Sequence, residues 1–404
     1  MITTADQNLV RKFNTAVVLN NIRHQAPLSR AEVAKNTGLN RSTVSQIINS
    51  LLESGLVQET ILQTDRIGRP GVLLELNPQG GFAIGIEIGV GFISLIVTDF
   101  IANVLWRQRI KSKSDDNQDL ILKRAFEMTE LGLAEGQKRK LRPLGIGMGV
   151  TGLVDLRHGE LKLAPNLGWR NIPLRRLWSE RYHLPIFVDN DAKAAALGEY
   201  YFGTARGVND FIFLNAGVGL GAGIMMGGKL FRGSHGYASE VGHIIMDPGG
   251  EVCGCGKVGC WETQVGPRAV IRRFQDTLSQ GVPSSVMHAS ENDLKNVTFE
   301  MIANAGLNGD NAALIAMQKV GKSLGFGIAN LVNIFNPQMV ILGGELNYAS
   351  ELLLPVVRQV VAENALGLES QDLKISASAH GIDACVMGAA ALVLDDILQE
   401  PNFA

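Results

Sequence analysis

Residues 240–262, which read EVGHIIMDPGGEVCGCGKVGCWE, contain three of the four cysteines of the chain. A histidine precedes them, so the stretch has the spacing His-x9-Cys-x-Cys-x4-Cys. Glycines at positions 254, 256 and 259 allow a tight loop to bring three thiolates together, which a closed tetrahedral zinc site requires. We therefore predict a structural Zn²⁺ site whose ligands are His243, Cys253, Cys255 and Cys260.

The alternative is a set of small buried cysteines beside an ordinary core histidine. The clustering of three cysteines disfavours this alternative, because the fourth cysteine, Cys385, lies far away in an apolar run. Two carboxylates, Glu240 and Glu262, bracket the stretch, and Glu240 stands three residues before the histidine. This arrangement predicts that the metal holds one wall of a polar pocket.

The composition is that of an ordinary globular protein. The chain has 404 residues, of which 46% are hydrophobic and 19% charged, with a net charge of -2. This length suits two or three domains. No run of about 18 apolar residues could span a membrane, and the N-terminus lacks the layout of a signal peptide. We expect a cytoplasmic protein without disulfides or membrane contact, because metal-bound thiols are typical of reducing compartments.

The first 77 residues have the pattern of a winged helix-turn-helix. Apolar residues recur at helical spacing over 8–24, Ser29 and Glu32 form a capping-box sequence, and Gly38 supplies a turn. A third helix with one polar face begins after Asn40. Two short strands, GLVQE and VLLEL, then flank the tip TDRIGRPG, which suits a minor groove.

The alternative is a small helical domain with a solvated polar face. Residues 1–77 contain eight Lys or Arg against six Asp or Glu, so net charge alone does not identify DNA binding. Helices, turn and wing nevertheless agree independently. The candidate DNA-binding residues are Arg41, Ser42, Thr43, Ser45, Gln46, Asn49, Arg66 and Arg69.

Two glycine-turned hairpins are predicted in the rest of the chain, over residues 82–99 and 211–230. Each opens an α/β stretch, which suggests a duplicated fold with two related lobes. Residues 275–310 are polar and uninformative. Residues 313–346 predict a long apolar helix, a turn and a buried strand, and the chain closes on a predicted amphipathic helix, GAAALVLDDIL.

A strand over 186–190 ends in Asp189-Asn190-Asp191 before an alanine-rich helix. In α/β proteins this is where ligand chemistry is placed. The alternative is that Asn190 and Asp191 only cap the helix. Taken with the glycine hairpin and the carboxylates of the cysteine-rich stretch, the two residues suggest a site for a polyol or sugar.

Seven motifs together resemble those of the ROK family (repressors, open reading frames, kinases): GIGMGVTGLVD, APNLGW, VDNDAKAAALGE, NAGVGLGAG, ASEVGH, CGCGKVGCWE and NPQMVILGG. The N-terminal helices are similar to those of the repressor branch, in particular its xylose repressors. The resemblance covers essentially the whole chain. It implies an α/β protein in which a winged helix-turn-helix precedes a two-lobed actin-like (ribonuclease-H-like) fold of the sugar-kinase type, with sugar in the cleft.

The resemblance also implies domains and site residues. We place the DNA-binding domain at 1–77, a first lobe at 78–191 joined by the C-terminal helix 388–404, and a second lobe with the zinc motif at 192–387. The residues that match the sugar-binding positions of the family are Asn190, Asp191, Glu240, His243 and Glu262.

In kinases of the family, the residue that matches Asp191 is the catalytic base. The first kinase loop normally reads Asp-x-Gly-Gly-Thr, whereas residues 87–91 read EIGVG, and Asn215-Ala216 replaces the usual Gly-Thr of the second loop. Because phosphoryl transfer depends on positioning phosphates and Mg²⁺, we expect a sensor with degraded ATP use, and no enzyme. The alternatives are an ATP-dependent sugar kinase with a DNA-binding appendage, and a regulator that answers to a protein partner.

The expected partners follow from the interpretation of the chain as a repressor. They are double-stranded operator DNA, a small sugar effector and a second copy of the chain, in a homodimer or homotetramer that matches a palindromic operator. We expect repression of sugar (xylose-type) utilisation genes that is released when sugar binds.

Overall fold

The computed structural model describes residues 6–61, 72–113, 116–367 and 373–401. Helices and strands are mixed along the chain, as the predicted α/β class requires. Among the described helices, none is long and apolar enough to cross a membrane.

The described residues form two compact units. The first contains those of 1–148, 174–188 and 389–404, and the second contains 149–173 and those of 189–388. Residues 149–173 thus pack with the second unit, although the first lobe was predicted to extend to residue 191. The predicted domain boundaries stay a prediction.

The N-terminal residues form three helices and an antiparallel strand pair. Ser29 accepts from the Glu32 amide while the Glu32 side chain accepts from the Ser29 amide, which confirms the capping box, and Gly38 ends the helix with φ 71°. The predicted helix-turn-helix and the strands of its wing are therefore confirmed. The wing tip with Arg66 and Arg69 lies outside the described residues. The elements are α1 (Gln7–Gln25), α2 (Arg30–Thr37), α3 (Arg41–Glu53), β1 (Val57–Ile61) and β2 (Val72–Leu76).

The helix-turn-helix is fastened within the first unit by polar contacts. The Asn20 side chain on α1 donates to the Leu398 carbonyl at 2.8 Å. The Arg142 guanidinium donates to the carbonyls of Gly80 at 2.9 Å and Ser54 at 3.0 Å. These contacts join α1, the end of α3 and the segment after β2 to the rest of the unit.

Residues 78–190 form a five-stranded sheet and a smaller three-stranded sheet. The large sheet has the order β10-β6-β3-β4-β5, and its β3-β4 hairpin confirms the first predicted glycine-turned hairpin. The small sheet, β7-β8-β9, was not predicted because its strands are only three to five residues long. The elements are β3 (Phe82–Gly89), β4 (Phe92–Asp99), β5 (Val104–Lys111), α4 (Gln118–Lys138), β6 (Pro143–Val150), β7 (Leu153–Asp155), β8 (Glu160–Ala164), β9 (Trp169–Ile172), α5 (Leu174–Tyr182) and β10 (Ile186–Asn190).

The remaining residues form a second five-stranded sheet with helices. Its order is β13-β12-β11-β14-β15; the β11-β12 hairpin confirms the second predicted hairpin, and β11 pairs β14 in parallel. The elements are α6 (Asp191–Phe202), β11 (Phe211–Ala216), β12 (Leu220–Met226), β13 (Lys229–Leu230), α7 (Pro267–Ser279), α8 (Val286–Ala289), α9 (Phe299–Leu307), α10 (Asn311–Phe335), β14 (Met339–Gly343), α11 (Ser350–Asn364), β15 (Lys374–Ala377) and α12 (Ala384–Gln399).

Two expectations about this region need correction. The segment 275–310 contains α8 and α9, and apolar side chains of these helices, such as Val286, Phe299 and Ile302, lie in the core. The closing helix α12 is not amphipathic over most of its length, because every residue from Ala384 to Leu394 is buried. Small side chains allow this burial, since they let neighbouring backbones approach closely.

We predict that Gly147→Ala destabilises the first unit. A Cβ at Gly147 in β6 would lie 1.7 Å from the Ala389 carbonyl oxygen on α12, so the two elements must separate. We expect a loss of about 1–3 kcal/mol in the free energy of unfolding, measured with urea. Gly249→Ala is the control, because its nearest atom would be 3.7 Å away. Equal stability of the two variants would contradict the prediction.

Candidate functional site

Asn190 marks the junction between the buried strand β10 and helix α6. Its side-chain oxygen accepts from the amides of Ala192 at 3.0 Å and Lys193 at 3.2 Å, so it caps the helix. Its side-chain amide donates to the Gly152 carbonyl at 3.1 Å. The capping role considered as the alternative is therefore present, and it fixes the direction of this side chain.

Asp191 begins α6 with its carboxylate held at both oxygens. Oδ1 accepts from the Ala192 amide at 2.8 Å, and Oδ2 accepts from the Thr151 hydroxyl at 3.0 Å. Desolvation raises the pKa of Asp191, and these hydrogen bonds oppose the rise. Thr151 was missed as a site residue, although it lies in the GIGMGVTGLVD motif, because hydroxyl direction cannot be read from spacing.

The four predicted metal ligands lie together. Their ligand atoms are all within 4.8 Å of one another. Cys253 Sγ is 3.6 Å from His243 Nδ1, and Cys255 Sγ is 3.7 Å from Cys260 Sγ. Tetrahedral zinc with bonds of 2.0–2.3 Å needs ligand separations of about 3.3–3.8 Å, so the set is compatible with such an ion.

Local backbone pairing brings the four ligands together. Val252 bridges Val258, and Ile245 bridges Cys260, so the chain folds back on itself twice. Gly259 has φ 77°, and a Cβ there would lie 1.6 Å from the Asp247 carbonyl oxygen. The position therefore requires glycine.

Glu262 joins this metal-ligand cluster to the glycine turn of the second hairpin. Its Oε1 accepts from the Cys253 thiol at 2.7 Å and lies 3.8 Å from His243 Nδ1. Its Oε2 accepts from the Leu220 amide on β12 at 3.4 Å. A Cβ at Gly219 would lie 2.9 Å from this oxygen, so glycine leaves the space that the carboxylate needs.

Glu240 completes the set of carboxylates. The residue keeps solvent-exposed surface, yet the desolvation of its carboxyl group raises its pKa, while the charge of Lys193 lowers it. Its carboxyl group also interacts electrostatically with Asp191, His243 and Glu262. The predicted sugar-binding residues therefore share one neighbourhood, and all of them belong to the second unit.

Asn166 is a site neighbour that the sequence analysis did not select. A Cβ at Gly219 would lie 3.6 Å from its Nδ2, and one at Gly254 would lie 3.1 Å from its Oδ1. The residue is exposed in the turn between β8 and β9, within the motif APNLGW. Trp169 and Trp261, by contrast, are only 4% and 1% exposed and belong to the core.

Six of the eight candidate DNA-binding residues lie on α3. Arg41, Ser42, Gln46 and Asn49 are exposed, whereas Thr43 and Ser45 are half-buried. The Ser42 hydroxyl donates to Asn40, the helix cap, at 2.8 Å. The Asn49 side-chain oxygen accepts from Arg30 of α2 at 2.9 Å. Four of the six residues on α3 are therefore open to a partner on its outer side.

Comparison with known proteins identifies the chain. The family model described as the ROK family matches residues 83–396. The chain belongs to the ROK family. A second family model, described as the MarR family, matches residues 12–66 and covers the helix-turn-helix.

Relatives along the full length are regulators. The chain is 35% identical to the xylose repressor of Caldicellulosiruptor bescii, over 99% of this chain and all of that protein. A crystal structure of a ROK family transcriptional regulator, a homologue of the E. coli MLC protein, matches with a TM-score of 0.82 and 31% identity over 97% of each chain. These findings confirm a DNA-binding transcriptional regulator.

The resemblance to kinases is confined to the region after the helix-turn-helix. A ROK family glucokinase from Streptomyces griseus, solved with glucose and AMPPNP, matches with a TM-score of 0.69 and 31% identity. The match covers 77% of this chain and 99% of the glucokinase. The predicted kinase-type fold behind a helix-turn-helix is therefore confirmed.

We predict that Asn190→Ala lowers the free energy of unfolding by about 1 kcal/mol more than Asn190→Ser, because serine retains a cap acceptor and alanine does not. Both variants lose the bond to the Gly152 carbonyl, so the comparison isolates the cap. Urea denaturation measures the difference. Two equally stable variants would show that the cap observed at Asn190 contributes nothing.

Proposed function

We propose that the protein is a sugar-responsive repressor of sugar utilisation genes, of the xylose type, which sugar releases from its operator. The observation that carries the proposal is the convergence of one amide, three carboxylates and one imidazole beside a glycine turn. Its named repressor relative and the helix-turn-helix support the regulatory part. The sugar-binding residues are Asn190, Asp191, Glu240, His243 and Glu262.

The chemistry of this set suits a polyol. Ionised carboxylates accept hydrogen bonds from hydroxyls, while the Asn190 amide can donate. Asp191 and Asn190 are already oriented by α6 and Thr151, so little side-chain freedom is lost when a ligand binds. Hydrogen-bonding sites of this kind discriminate against analogues that lack the hydroxyl, because a buried polar group is then left unpaired.

We propose that His243, Cys253, Cys255 and Cys260 hold structural Zn²⁺. Their chemistry fits it, since thiolate and imidazole are the ligands of closed tetrahedral sites. When bound, the ion would supply positive charge that stabilises the thiolates and would fix the histidine ring. His243 faces the cluster with Nδ1, which leaves Nε2 for the sugar site. Such orientation of a ligand by its surroundings is general in metal sites.

Two contacts support a sensor with degraded ATP use. A Cβ at Gly89 would lie 2.3 Å from the Phe92 ring, which therefore covers the first glycine turn, and the Arg109 guanidinium stacks 3.6 Å from the centre of that ring. In the second unit, a Cβ at Gly217 would lie 3.7 Å from a Glu345 carboxylate oxygen. A carboxylate beside this loop disfavours phosphate.

We further propose that α3 and the wing bind operator DNA as part of a homodimer or homotetramer. The exposed side chains of α3 suit base and phosphate contacts. Two copies related by symmetry match a palindromic operator.

We predict that purified protein contains about one zinc per chain, and that Cys255→Ser or Cys260→Ser lowers metal affinity at least about 10-fold. Because zinc would fix the ring of His243, which lies 3.8 Å from Glu262, these variants should also lose sugar response. Metal analysis and gel shifts with sugar measure the two effects. Cys385→Ser is the control, since it lies outside the cluster. If a variant without zinc still responds normally to sugar, the cluster has a purely structural role.

We predict that one sugar from a panel of xylose, glucose and their phosphates raises the melting temperature by several degrees at saturation and weakens operator binding. Asp191→Asn should weaken both effects strongly, because it removes the negative charge and replaces one acceptor oxygen by an NH2 donor. If no sugar changes either property, the proposal is wrong. Robust ADP release with sugar and ATP that Asp191→Asn abolishes would instead establish the kinase alternative.

A further inference from the structure

Lys193 is the unusual residue of α6. It interrupts a run of buried alanines at positions 192 and 194–196, and it is itself only 3% exposed. A buried ammonium group is unfavourable unless it is paired and hydrogen-bonded. Alanine would continue the run without this penalty, so the lysine needs a reason that helix packing does not supply.

The lysine reaches from α6 to the loop that carries Glu240. Its Nζ donates to the Gly236 carbonyl at 2.8 Å. The carboxylates of Glu240, Asp189 and Asp191 attract its charge, whereas Arg232 repels it. Lys193 therefore connects the helix start that presents Asn190 and Asp191 to the loop of residues 231–240.

A second positively charged side chain, Arg232, holds the start of the same loop. The Arg232 guanidinium pairs with Asp189 at 2.7 Å, and this carboxylate side chain is only 3% exposed. Asp189 and Lys193 flank the site residues Asn190 and Asp191 in sequence. The loop is thus held at two points by the segment that forms the start of α6.

The backbone of the loop needs this restraint. Ser239, directly before Glu240, has φ 74°, a conformation that residues other than glycine rarely adopt. Strained conformations persist only where surrounding contacts over-determine them. The contacts of Lys193 and Arg232 supply such restraint on the segment that ends at Glu240.

We propose that Lys193 is a positioning residue of the sugar site. It holds the 231–240 loop so that Glu240 faces Asn190 and Asp191, and it balances the negative charge of Glu240 and Asp191. This inference rests on the proposed sugar site. It assigns a function to a residue that makes no contact with the metal-ligand cluster among the described hydrogen bonds and ion pairs. Loss of the ammonium group should release Glu240 and leave the helix-turn-helix unaffected.

The test compares Lys193→Met with the wild type by calorimetry, using the sugar that the wild type binds most tightly among xylose, glucose and their phosphates. We expect the sugar Kd to rise about 10-fold or more, the effect of removing a charged hydrogen bond. Zinc content and operator affinity without sugar should stay within about two-fold, since neither site includes Lys193. Lys193→Gln replaces Lys193→Met if the latter does not fold.

Two controls distinguish a positioning role of Lys193 from an effect on the stability of the protein. Ala195→Gly destabilises the same helix without touching the loop, and it should leave the sugar Kd unchanged. In a Glu240→Gln background, Lys193→Met should have a much smaller effect, because the residue it positions is already altered. An unchanged sugar Kd in Lys193→Met, or additive effects of the two changes, would overturn the inference. If the wild type itself binds no sugar, the proposed function fails instead.

Discussion

The hydrogen bonds at the start of α6 are the constraint on which the candidate site depends. A helix N-terminus leaves backbone amides without partners, and here Asn190 and Asp191 satisfy those of Ala192 and Lys193. The side chains proposed to bind sugar are therefore oriented by the fold itself. Their direction is set before any ligand arrives, which reduces the entropy lost on binding.

Glu262 extends this constraint to the metal-ligand cluster. One of its oxygens contacts Cys253, and the other accepts from the Leu220 amide beside the glycine turn. The oxygen that contacts Cys253 also lies 3.8 Å from His243 Nδ1, so two of the proposed metal ligands adjoin a carboxylate of the proposed site. Glu262 therefore connects the proposed metal site to the proposed sugar site.

Much of this arrangement could be predicted from the sequence. Periodicity and capping residues predicted the three helices of the DNA-binding domain, and cysteine spacing predicted the ligand cluster, because these signals are local. Asn166 and Thr151 were missed, since their placement depends on the β7-β8-β9 sheet and on contacts between distant segments. The burial of α12 was missed for a similar reason: an alanine-rich pattern does not show which neighbours approach it.

Lys193 illustrates the same limit at a single residue. In the sequence it is an ordinary charged residue on an alanine-rich helix, and only the fold shows that it is buried and bonded to Gly236. Long-range electrostatics of this kind leaves no periodic signal. The kinase-type fold likewise does not decide between catalysis and sensing.

The most direct test of the account is the thermodynamic linkage between sugar and operator. The Kd for the sugar that binds most tightly among xylose, glucose and their phosphates is measured with and without operator DNA, and the Kd for the operator with and without that sugar at saturation. The account predicts that both ratios are equal and amount to about 5-fold or more, because coupling between two sites is reciprocal. Sugar binding with the same Kd in the presence and absence of operator would contradict it.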